Sequence, residues 1–257
     1  MAAAIPQSRE GSWKPLVGPY VEAPERVRRA GQKGCVLIPA YNEAGRIGEV
    51  VRRVREKIPD VLVVDDGSTD GTAEEARTQG AEVVRHETNR GKGASLSTGF
   101  ARARALGFDW VITMDADGQH SPDDIPKFVE AYVRTGFPVL VGNRMADVRA
   151  MPLIRRLTNR FMSWLLSREM GQYVPDTQCG FRLYRADVLP FLATTSPRFA
   201  AESEALLHVS AMGMRIASVP ISTIYIEGRE SHIRPVQDTW RFFRMLWAYR
   251  RSRRPQP

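Results

Sequence analysis

The stretch Trp110–Gln119, WVITMDADGQ, joins a short apolar run to two aspartates that are separated by one residue. Apolar runs of this length that end in turn residues are typical of buried strands. Two similar runs occur earlier, at Cys35–Ile38 and Val61–Val64, and apolar residues recur at helical spacing in the segments between the runs. Thr72 and Glu75 have the spacing of a capping box at the start of one of these helices. The sequence therefore predicts an α/β fold with a mostly parallel central sheet flanked by helices.

Each of these three predicted strands is followed by a polar cluster. The clusters are Pro39–Glu43, Asp65–Ser68 and Asp115–Gln119. Parallel strands place their carboxyl ends at one edge of a sheet, and ligands of such sheets bind beyond that edge. We therefore expect the three clusters to meet in one ligand site.

The chain has 257 residues, a length that fits one main α/β domain with appendages. We assign this domain to residues 34–234, an N-terminal extension to residues 1–33, and a basic amphipathic C-terminal helix or tail to residues 235–257. The sequence does not predict an oligomeric state.

The charge balance is basic, because 37 Lys and Arg residues outnumber 29 Asp and Glu residues, for a formal net charge of +8. A basic surface favours anionic partners. Nucleic acid is disfavoured, because aromatic and basic residues are not interleaved on a strand face as in common single-strand binders.

The glycine-rich segment Asn89–Gly93 has neither Walker spacing nor a dinucleotide-binding pattern, so ATPase and dehydrogenase functions are disfavoured too. Its backbone N–H groups and Lys92 could bind an anion.

The two cysteines, Cys35 and Cys179, cannot form a disulfide framework or a four-cysteine zinc site. His86, His120 and His208 have no second ligand at metal spacing, so no role is predicted for them.

The N-terminal residues do not resemble a secretory signal, and no apolar stretch approaches the ~18 residues of a membrane span. We expect reduced thiols and a cytoplasmic protein, attached at most peripherally to the cytoplasmic face of a membrane.

Asp115 and Asp117 can both reach one divalent cation if the backbone turns after the strand. Gln119 adds a neutral oxygen, and Mg²⁺ and Mn²⁺ prefer hard oxygen ligands. Two acids and one amide leave coordination positions for a diphosphate. The alternative is that one acid caps a helix and the other lies in a solvated turn. Asp65 or Asp66 could accept a hydrogen bond from a nucleobase or ribose, or belong to a turn.

Four motifs stand in the order seen in family 2 glycosyltransferases of the GT-A fold, which the sequence resembles from about residue 35 to residue 225. They are Ile38–Glu43, Val64–Asp70, Asn89–Gly93 and Asp115–His120. A fifth motif, Asp176–Arg182, is similar to that of the dolichyl- and polyprenyl-phosphate mannosyl- and glucosyltransferases. The resemblance implies a Rossmann-like nucleotide-diphospho-sugar transferase. The sequence departs from the family at Asn143, where many relatives have serine, and it shows no C-terminal membrane-spanning stretch.

The resemblance also implies roles for individual residues. The nucleotide-sugar pocket would be lined by Pro39, Tyr41, Glu43, Asp66, Lys92, Asp115 and Ala116. The implied ligands of Mg²⁺ or Mn²⁺ are Asp115, Asp117 and Gln119. The acceptor phosphate would be bound by Arg144 and by Arg155 or Arg156. Arg182 is a further candidate there, or else it orients a loop by contacting Asp176.

The candidate catalytic residues are Asp117, Arg144, Asp176 and Glu202. If the acceptor is a lipid phosphate, its oxyanion is already a nucleophile, and only alignment and charge placement are required. If it is a hydroxyl group, a carboxylate such as Asp176 or Glu202 would be the base. Direct in-line attack would invert the anomeric centre. Ser231 and His232 lie in a segment that could close over the diphosphate.

The implied donor is a nucleotide-diphosphate sugar of the GDP-mannose or UDP-glucose type. The implied acceptor is a polyprenyl phosphate or, as the alternative, a glycan hydroxyl. The C-terminal stretch Trp240–Arg254 combines aromatic residues with six arginines, a pattern that could lie on an anionic membrane surface. Aromatic stripes near Trp164 and Trp240 are more often core or packing surface than binding groove.

Overall fold

The computed structural model describes residues 32–149, 151–192, 199–224 and 235–252. Ser231 and His232 lie outside the described residues. So do residues 1–31 of the predicted extension and residues 253–257 of the predicted tail.

Seven strands form one sheet in the described part of the chain. In chain order they are β1 (Gly34–Ala40), β2 (Val61–Asp65), β3 (Glu82–Arg85), β4 (Trp110–Thr113), β5 (Val139–Asn143), β6 (Arg182–Arg185) and β7 (Ile216–Pro220). Across the sheet their order is β3-β2-β1-β4-β6-β5-β7. Only β6 runs antiparallel to its neighbours, β4 and β5. The prediction of an α/β fold with a mostly parallel sheet is confirmed.

Helices flank the sheet. They are α1 (Ile47–Arg55), α2 (Thr72–Thr78), α3 (Lys92–Ala105), α4 (Ile125–Thr135), α5 (Leu153–Met170), α6 (Phe199–Ala211) and α7 (Pro235–Ser252). In the described residues, three short 3₁₀ turns span Pro122–Asp124, Arg144–Ala146 and Ala186–Phe191. None of the helices among the described residues has both the length and the apolar character that are needed to cross a bilayer.

The predicted capping box at the start of α2 does not form. Gly71 precedes the helix with φ at +87°, and no side chain caps its first turn. The Glu75 carboxylate instead accepts hydrogen bonds from the N–H groups of Gly45 (2.6 Å) and Gly48 (2.9 Å) at the start of α1. The spacing of Thr72 and Glu75 predicted the wrong contact, because the unpaired N–H groups that Glu75 satisfies belong to a different helix.

The main core lies on the two faces of the sheet, and β1, β2 and β4 are almost wholly buried, as their unbroken apolar runs predict. Cys35 and Cys179 are free thiols within this core. Burial raises the pKa of each thiol to about 12. A second, smaller core joins α5, α6 and α7, and it contains Met162, Leu166, Leu207, Phe242, Met245 and Leu246.

Candidate active site

The ends of β1, β2 and β4 meet at one edge of the sheet, as their parallel pairing requires. The N–H of Asp66 donates to the carbonyl of Ala40 (2.8 Å), and the N–H of Met114 donates to the carbonyl of Leu37 (3.0 Å). The three polar clusters that follow these strands are therefore brought to the same edge.

The first cluster contains one open and one fixed side chain. Tyr41 exposes 46% of its surface, and Pro39 is half-buried. Glu43 is buried; its N–H donates to Thr72 Oγ1 (2.9 Å) and its carboxylate accepts from Arg46 (2.9 Å). Tyr41 thus presents an accessible ring at the sheet edge, and the predicted place of these residues in a nucleotide pocket stays a prediction.

Asp66 is buried, and protein donors engage both of its carboxylate oxygens. Oδ1 lies 2.8 Å from His86 Nδ1 and accepts from the N–H of Arg90 (2.9 Å), and Oδ2 accepts from the N–H of Gly91 (2.7 Å). His86 Nε2 is in turn 2.9 Å from Thr98 Oγ1. In this structure Asp66 anchors the glycine-rich segment before α3, and its predicted contact with a base stays a prediction. The part that His86 plays was not predicted, because its partner Asp66 lies 20 residues away in the sequence.

Lys92, the first residue of α3, bridges two carboxylates from distant parts of the chain. Its Nζ lies 2.5 Å from Asp115 Oδ1 and 2.9 Å from Glu202 Oε1. Burial opposes the charge on Lys92, but the two carboxylates raise its pKa above the ordinary value for lysine. Burial also opposes ionisation of Asp115, but the charge of Lys92 brings the pKa of Asp115 down to about 2. This ion-paired cluster therefore joins α3, α6 and the loop after β4.

Gly180 allows the backbone before β6 to approach this cluster closely. A Cβ at this position would lie 2.9 Å from Glu202 Oε1 and 3.1 Å from both Asp115 Oδ2 and Lys92 Nζ. The carbonyl of Gly180 also accepts a hydrogen bond from Thr113 Oγ1 (2.8 Å). A larger residue here would push the charged groups apart.

Asp117 and Gln119 lie on the partly exposed loop after β4. The N–H of Gln119 donates to Asp117 Oδ1 (3.0 Å), so the backbone turns back on itself there. His120 is buried behind this loop; its Nδ1 accepts from the N–H of Asp115 (3.3 Å), and its ring stacks on Phe181 at 5.2 Å. Burial lowers the pKa of His120 more than the nearby aspartates raise it. His120 is thus a neutral support for Asp115 that the sequence did not indicate, because its partner is a backbone group.

Arg144 and Asp176 form a buried, bidentate ion pair. Arg144 Nε and Nη2 donate to the two carboxylate oxygens at 2.8 and 2.9 Å, and the Arg144 N–H donates to Oδ2 at 3.1 Å. Burial disfavours the charge on Arg144, but Asp176 raises the pKa of the guanidinium above its ordinary value. Both oxygens of Asp176 are therefore engaged, while the pair leaves Nη1 of Arg144 for another acceptor.

Arg182 has no exposed surface, and this position does not fit the prediction that it binds the acceptor phosphate. Its guanidinium donates to the carbonyls of Cys179 (2.7 Å), Glu202 (2.7 Å) and Thr177 (2.8 Å). Arg182 thus holds the segment before β6 against α6. The alternative prediction, that Arg182 contacts the Asp176 carboxylate, is wrong, because Arg144 makes that contact.

Arg155 and Arg156 lie in the first turn of α5, and both are half-buried. Ala116 is buried directly after Asp115, where its side chain is part of the main core. The predicted contacts of the two arginines with an acceptor phosphate, and of the Ala116 backbone with a ribose, stay predictions.

The loop after β4 offers the ligand chemistry that a hard divalent cation requires. Its candidate donors are the carboxylates of Asp115 and Asp117 and the amide oxygen of Gln119, all at partly exposed positions. Within the described residues, no three His, Cys, Asp or Glu side chains are grouped so as to hold a metal ion. A site with two carboxylates needs further oxygens, and Mg²⁺ usually takes such oxygens from water and substrate phosphates. The residues therefore fit an ion that binds together with a diphosphate.

Comparison with known proteins identifies the family. The model of glycosyl transferase family 2 matches residues 35–191 of the chain. The chain belongs to this family. Among relatives of this family 2 glycosyltransferase, an undecaprenyl-phosphate mannosyltransferase of Micrococcus luteus is 36% identical over 207 residues, which cover 76% of this chain and 85% of that protein. A UDP-N-acetylglucosamine–dolichyl-phosphate N-acetylglucosaminyltransferase of Methanococcus voltae is 34% identical over 215 residues, which cover 75% of this chain and 86% of that protein.

The solved structures confirm the fold of this glycosyltransferase. Glucosyl-3-phosphoglycerate synthase from Mycobacterium tuberculosis, in complex with Mg²⁺ and UDP, aligns with a TM-score of 0.64 at 21% identity, covering 87% of this chain and 81% of that one. The fold is therefore GT-A. The family match includes the loop after β4 and Asp176 but ends before α6 and α7. Glu202 and the C-terminal helix thus belong to the part of the enzyme that the family model leaves unmatched.

Proposed function

We propose that this enzyme transfers a hexose, mannose or glucose, from a nucleotide-diphosphate sugar of the GDP-mannose or UDP-glucose type to a polyprenyl phosphate. The names of the two relatives described above specify undecaprenyl and dolichyl phosphates, which supports this class of acceptor. The alternative is transfer to a hydroxyl group of a saccharide. The two differ in whether the acceptor must lose a proton as it attacks.

One observation carries the proposal: the two candidate general bases, Asp176 and Glu202, are both ion-paired with cationic side chains. Asp176 gives both oxygens to Arg144, and Glu202 is ion-paired with Lys92 at 2.9 Å. A hydroxyl acceptor needs a base, whereas a phosphate oxygen is already anionic. The geometry therefore favours an acceptor that requires only alignment and charge placement.

Arg144 supplies that charge. Asp176 holds the guanidinium in one orientation, so little side-chain entropy remains to be lost when an anion binds. Arginine suits phosphate because its fork is planar and permanently charged, and Nη1 is the part that the ion pair leaves over. Arg155 and Arg156 would add positive charge as the lipid phosphate docks.

On the donor side, Asp115, Asp117 and Gln119 would hold Mg²⁺ or Mn²⁺. When bound, such an ion would neutralise the diphosphate leaving group as a Lewis acid. Lys92 keeps Asp115 ionised and fixes one of its oxygens at 2.5 Å. The acceptor phosphate oxygen then forms the new bond to the anomeric carbon as the bond to the nucleoside diphosphate breaks. In-line displacement inverts the configuration of that carbon.

A polyprenyl acceptor lies in a bilayer, so we propose that the enzyme works at the cytoplasmic face of an anionic membrane. Helix α7 supports this, since Trp240 and Trp247 each expose about 60% of their surface. The guanidinium carbons of Arg244 and Arg251 lie 4.9 and 4.7 Å from the centres of these two rings. Paired aromatic rings and cations are suited to the headgroup region.

The test is a transfer assay with matched acceptors. GDP-mannose, UDP-glucose and UDP-N-acetylglucosamine are each offered with Mg²⁺ or Mn²⁺ and one of three acceptors: an isoprenyl phosphate, the same alcohol without phosphate, or a free saccharide. We expect a product only with the phosphate, and none when a chelator removes the ion. Transfer to the alcohol or the saccharide but not to the phosphate would establish the alternative. Absence of transfer in every combination would contradict both.

A further inference from the structure

One side of α5 exposes large apolar side chains to solvent. We call these residues the α5 strip: Leu153, Ile154, Leu157, Phe161 and Trp164, each with more than half of its surface exposed. At about 100° per residue, the strip occupies an arc of about 100° on the helix. The other side of α5 packs Met162 and Leu166 into the small core with α6 and α7. The strip is therefore not needed to hold the helix in place.

An exposed strip of this size points to a partner. Single exposed apolar residues are normal, but larger apolar patches on soluble proteins mark interaction sites. Ile154 is 80% exposed, and Phe161 and Trp164 stack on each other with ring centres 6.2 Å apart. The strip begins in the helical turn that carries Arg155 and Arg156, the residues proposed to meet the acceptor phosphate. It therefore adjoins the proposed acceptor site.

Helix α7 packs against α6, which also contacts α5, and α7 repeats the pattern. The shared small core and an ion pair between Arg250 and Glu169 join α7 to α5. On its exposed side α7 carries Trp240, Phe243 and Trp247. The apolar strip of the catalytic domain thus has a counterpart on the neighbouring C-terminal helix.

The charge of the two helices indicates which partner fits. Together α5 and α7 contain eight arginines and two acidic residues, a far stronger basic bias than that of the whole chain. Arg168 lies over the Trp164 ring, 6.0 Å from its centre. In a two-fold dimer the same patch meets itself, which would bring arginines against arginines. An anionic bilayer surface instead accepts the apolar side chains at the acyl boundary and the arginines among the lipid phosphates.

We infer that the α5 strip and the exposed side of α7 form one docking surface for an anionic lipid bilayer, and that α5 carries the residues that insert. The inference rests on the proposed function for the identity of the lipid acceptor. It goes beyond that function. It also goes beyond the prediction from the sequence, which gave membrane contact only to the C-terminal segment, because α5 belongs to the catalytic domain. Docking through α5 would bring the first turn of the helix, which carries Arg155 and Arg156, close to the bilayer surface.

The test compares two double variants of the full chain with identical charge changes. Ile154→Glu with Leu157→Glu alters the α5 strip, whereas Leu106→Glu with Val133→Glu alters exposed apolar positions at the end of α3 and on α4. Each protein is sedimented with vesicles of phosphatidylglycerol and phosphatidylcholine, and with phosphatidylcholine alone. We expect the wild type and the control to bind the anionic vesicles. The α5 variant should bind at least about tenfold more weakly, because it loses inserting apolar groups and gains negative charge.

Equal vesicle binding by the two double variants would overturn the inference, as would a wild type that does not bind anionic vesicles. Sedimentation velocity tests the competing occupant. A wild-type dimer that the α5 double variant converts to a monomer would assign the strip to a second copy of the chain. Thermal unfolding establishes that both variants are folded, which their exposed positions lead us to expect.

Transfer assays separate this inference from the proposed function. For this assay the α5 strip is altered by Phe161→Glu with Trp164→Glu, which lie further along the helix than Arg155 and Arg156. With a short, water-soluble isoprenyl phosphate this variant should match the wild type, because no bilayer is involved. With a long-chain acceptor in anionic vesicles, its rate should fall, and equal rates would count against the docking surface. If the wild type transfers to neither acceptor, the proposed function fails, while vesicle sedimentation still decides the docking surface.

Discussion

The two sides of the candidate site hold their carboxylates by different means. Next to β2, Asp66 is held by His86 and by two backbone N–H groups of the glycine-rich segment. Next to β5, Asp176 is held by the buried guanidinium of Arg144. The first arrangement shapes a loop, and the second fixes a cation in place.

This difference has consequences for both stability and function. Removing a carboxylate that is bound mainly by backbone groups leaves hydrogen bonds unmade, and each costs a modest amount. Removing one partner of a buried ion pair leaves a charge without compensation, which costs more. We call the Asp66 side the nucleotide side and the Asp176 side the acceptor side, after the ligands proposed for them. We expect the nucleotide side to tolerate substitution better than the acceptor side, and activity to depend most on the proposed metal-binding loop between them.

The largest expected effect is on activity, at that loop. Asp117→Ala removes a proposed ligand of the cation that neutralises the leaving group, so transfer should fall by about a thousandfold or more. The fold should persist, because Asp117 is partly exposed. Transfer rates and thermal unfolding are measured together. Asp123→Ala, at an exposed acid in the following 3₁₀ turn, is the control and should retain activity. Normal transfer by Asp117→Ala would refute the proposed cation site.

The second prediction concerns the stability of the acceptor side. Asp176→Ala should lower the free energy of unfolding by about 3–5 kcal/mol, because Arg144 stays buried without its partner. Asp187→Ala breaks the more exposed pair with Arg185 in the same half of the chain, and it should cost about 1 kcal/mol or less. Urea denaturation measures both. If the two variants lose the same stability, Arg144 is not held as the structure indicates.

The third prediction concerns the nucleotide side. Asp66→Asn replaces one acceptor oxygen with an NH₂ group that faces donors, so it should cost about 1–2 kcal/mol of stability. The segment around Arg90 and Gly91 should loosen, and nucleotide affinity should fall about tenfold. Urea denaturation and calorimetry with UDP or GDP give the two values. A loss of stability as large as that of Asp176→Ala would remove the contrast between the two sides.

Much of the fold could be predicted because its signals are local. The apolar runs of β1, β2 and β4 and the polar residues after them lie in short stretches, and parallel pairing alone then brings the clusters to one edge. The reversed direction of β6 could not be predicted, since an apolar run carries no sign of its orientation in a sheet.

The site was harder to predict because its partners are distant in sequence. Arg182 lies six residues from Asp176 and Arg144 lies 32 residues away, yet the distant arginine makes the ion pair. The two side chains are chemically identical, so only the burial of Arg182 among backbone carbonyls separates their roles. The stripe at Trp164 was expected to be core or packing surface, but its solvent exposure depends on which side of α5 meets α6 and α7.

The smallest expected effect tests whether the two sides share one core. Cys35 in β1 and Cys179 before β6 both have a pKa raised to about 12 by burial, whereas thiols of the unfolded chain ionise near 9. The unfolded state is therefore favoured as pH rises above 9, and at pH 10 each thiol should cost roughly 1 kcal/mol of stability. Urea denaturation at pH 8 and pH 10 measures the loss, and Cys35→Ala and Cys179→Ala should each remove their own share of it.

Thiol labelling sharpens the same prediction. Cys35 and Cys179 belong to one continuous core, so a thiol reagent should modify both at the same rate, set by unfolding of the whole domain. Labelling followed by peptide mapping, across a series of urea concentrations, gives the two rates. The exposed side chains around the site do not enter this measurement, because neither thiol has accessible surface. Faster labelling of Cys179 would mean that the acceptor side opens on its own, and the contrast between the two sides would then extend from their ion pairs to their cooperativity.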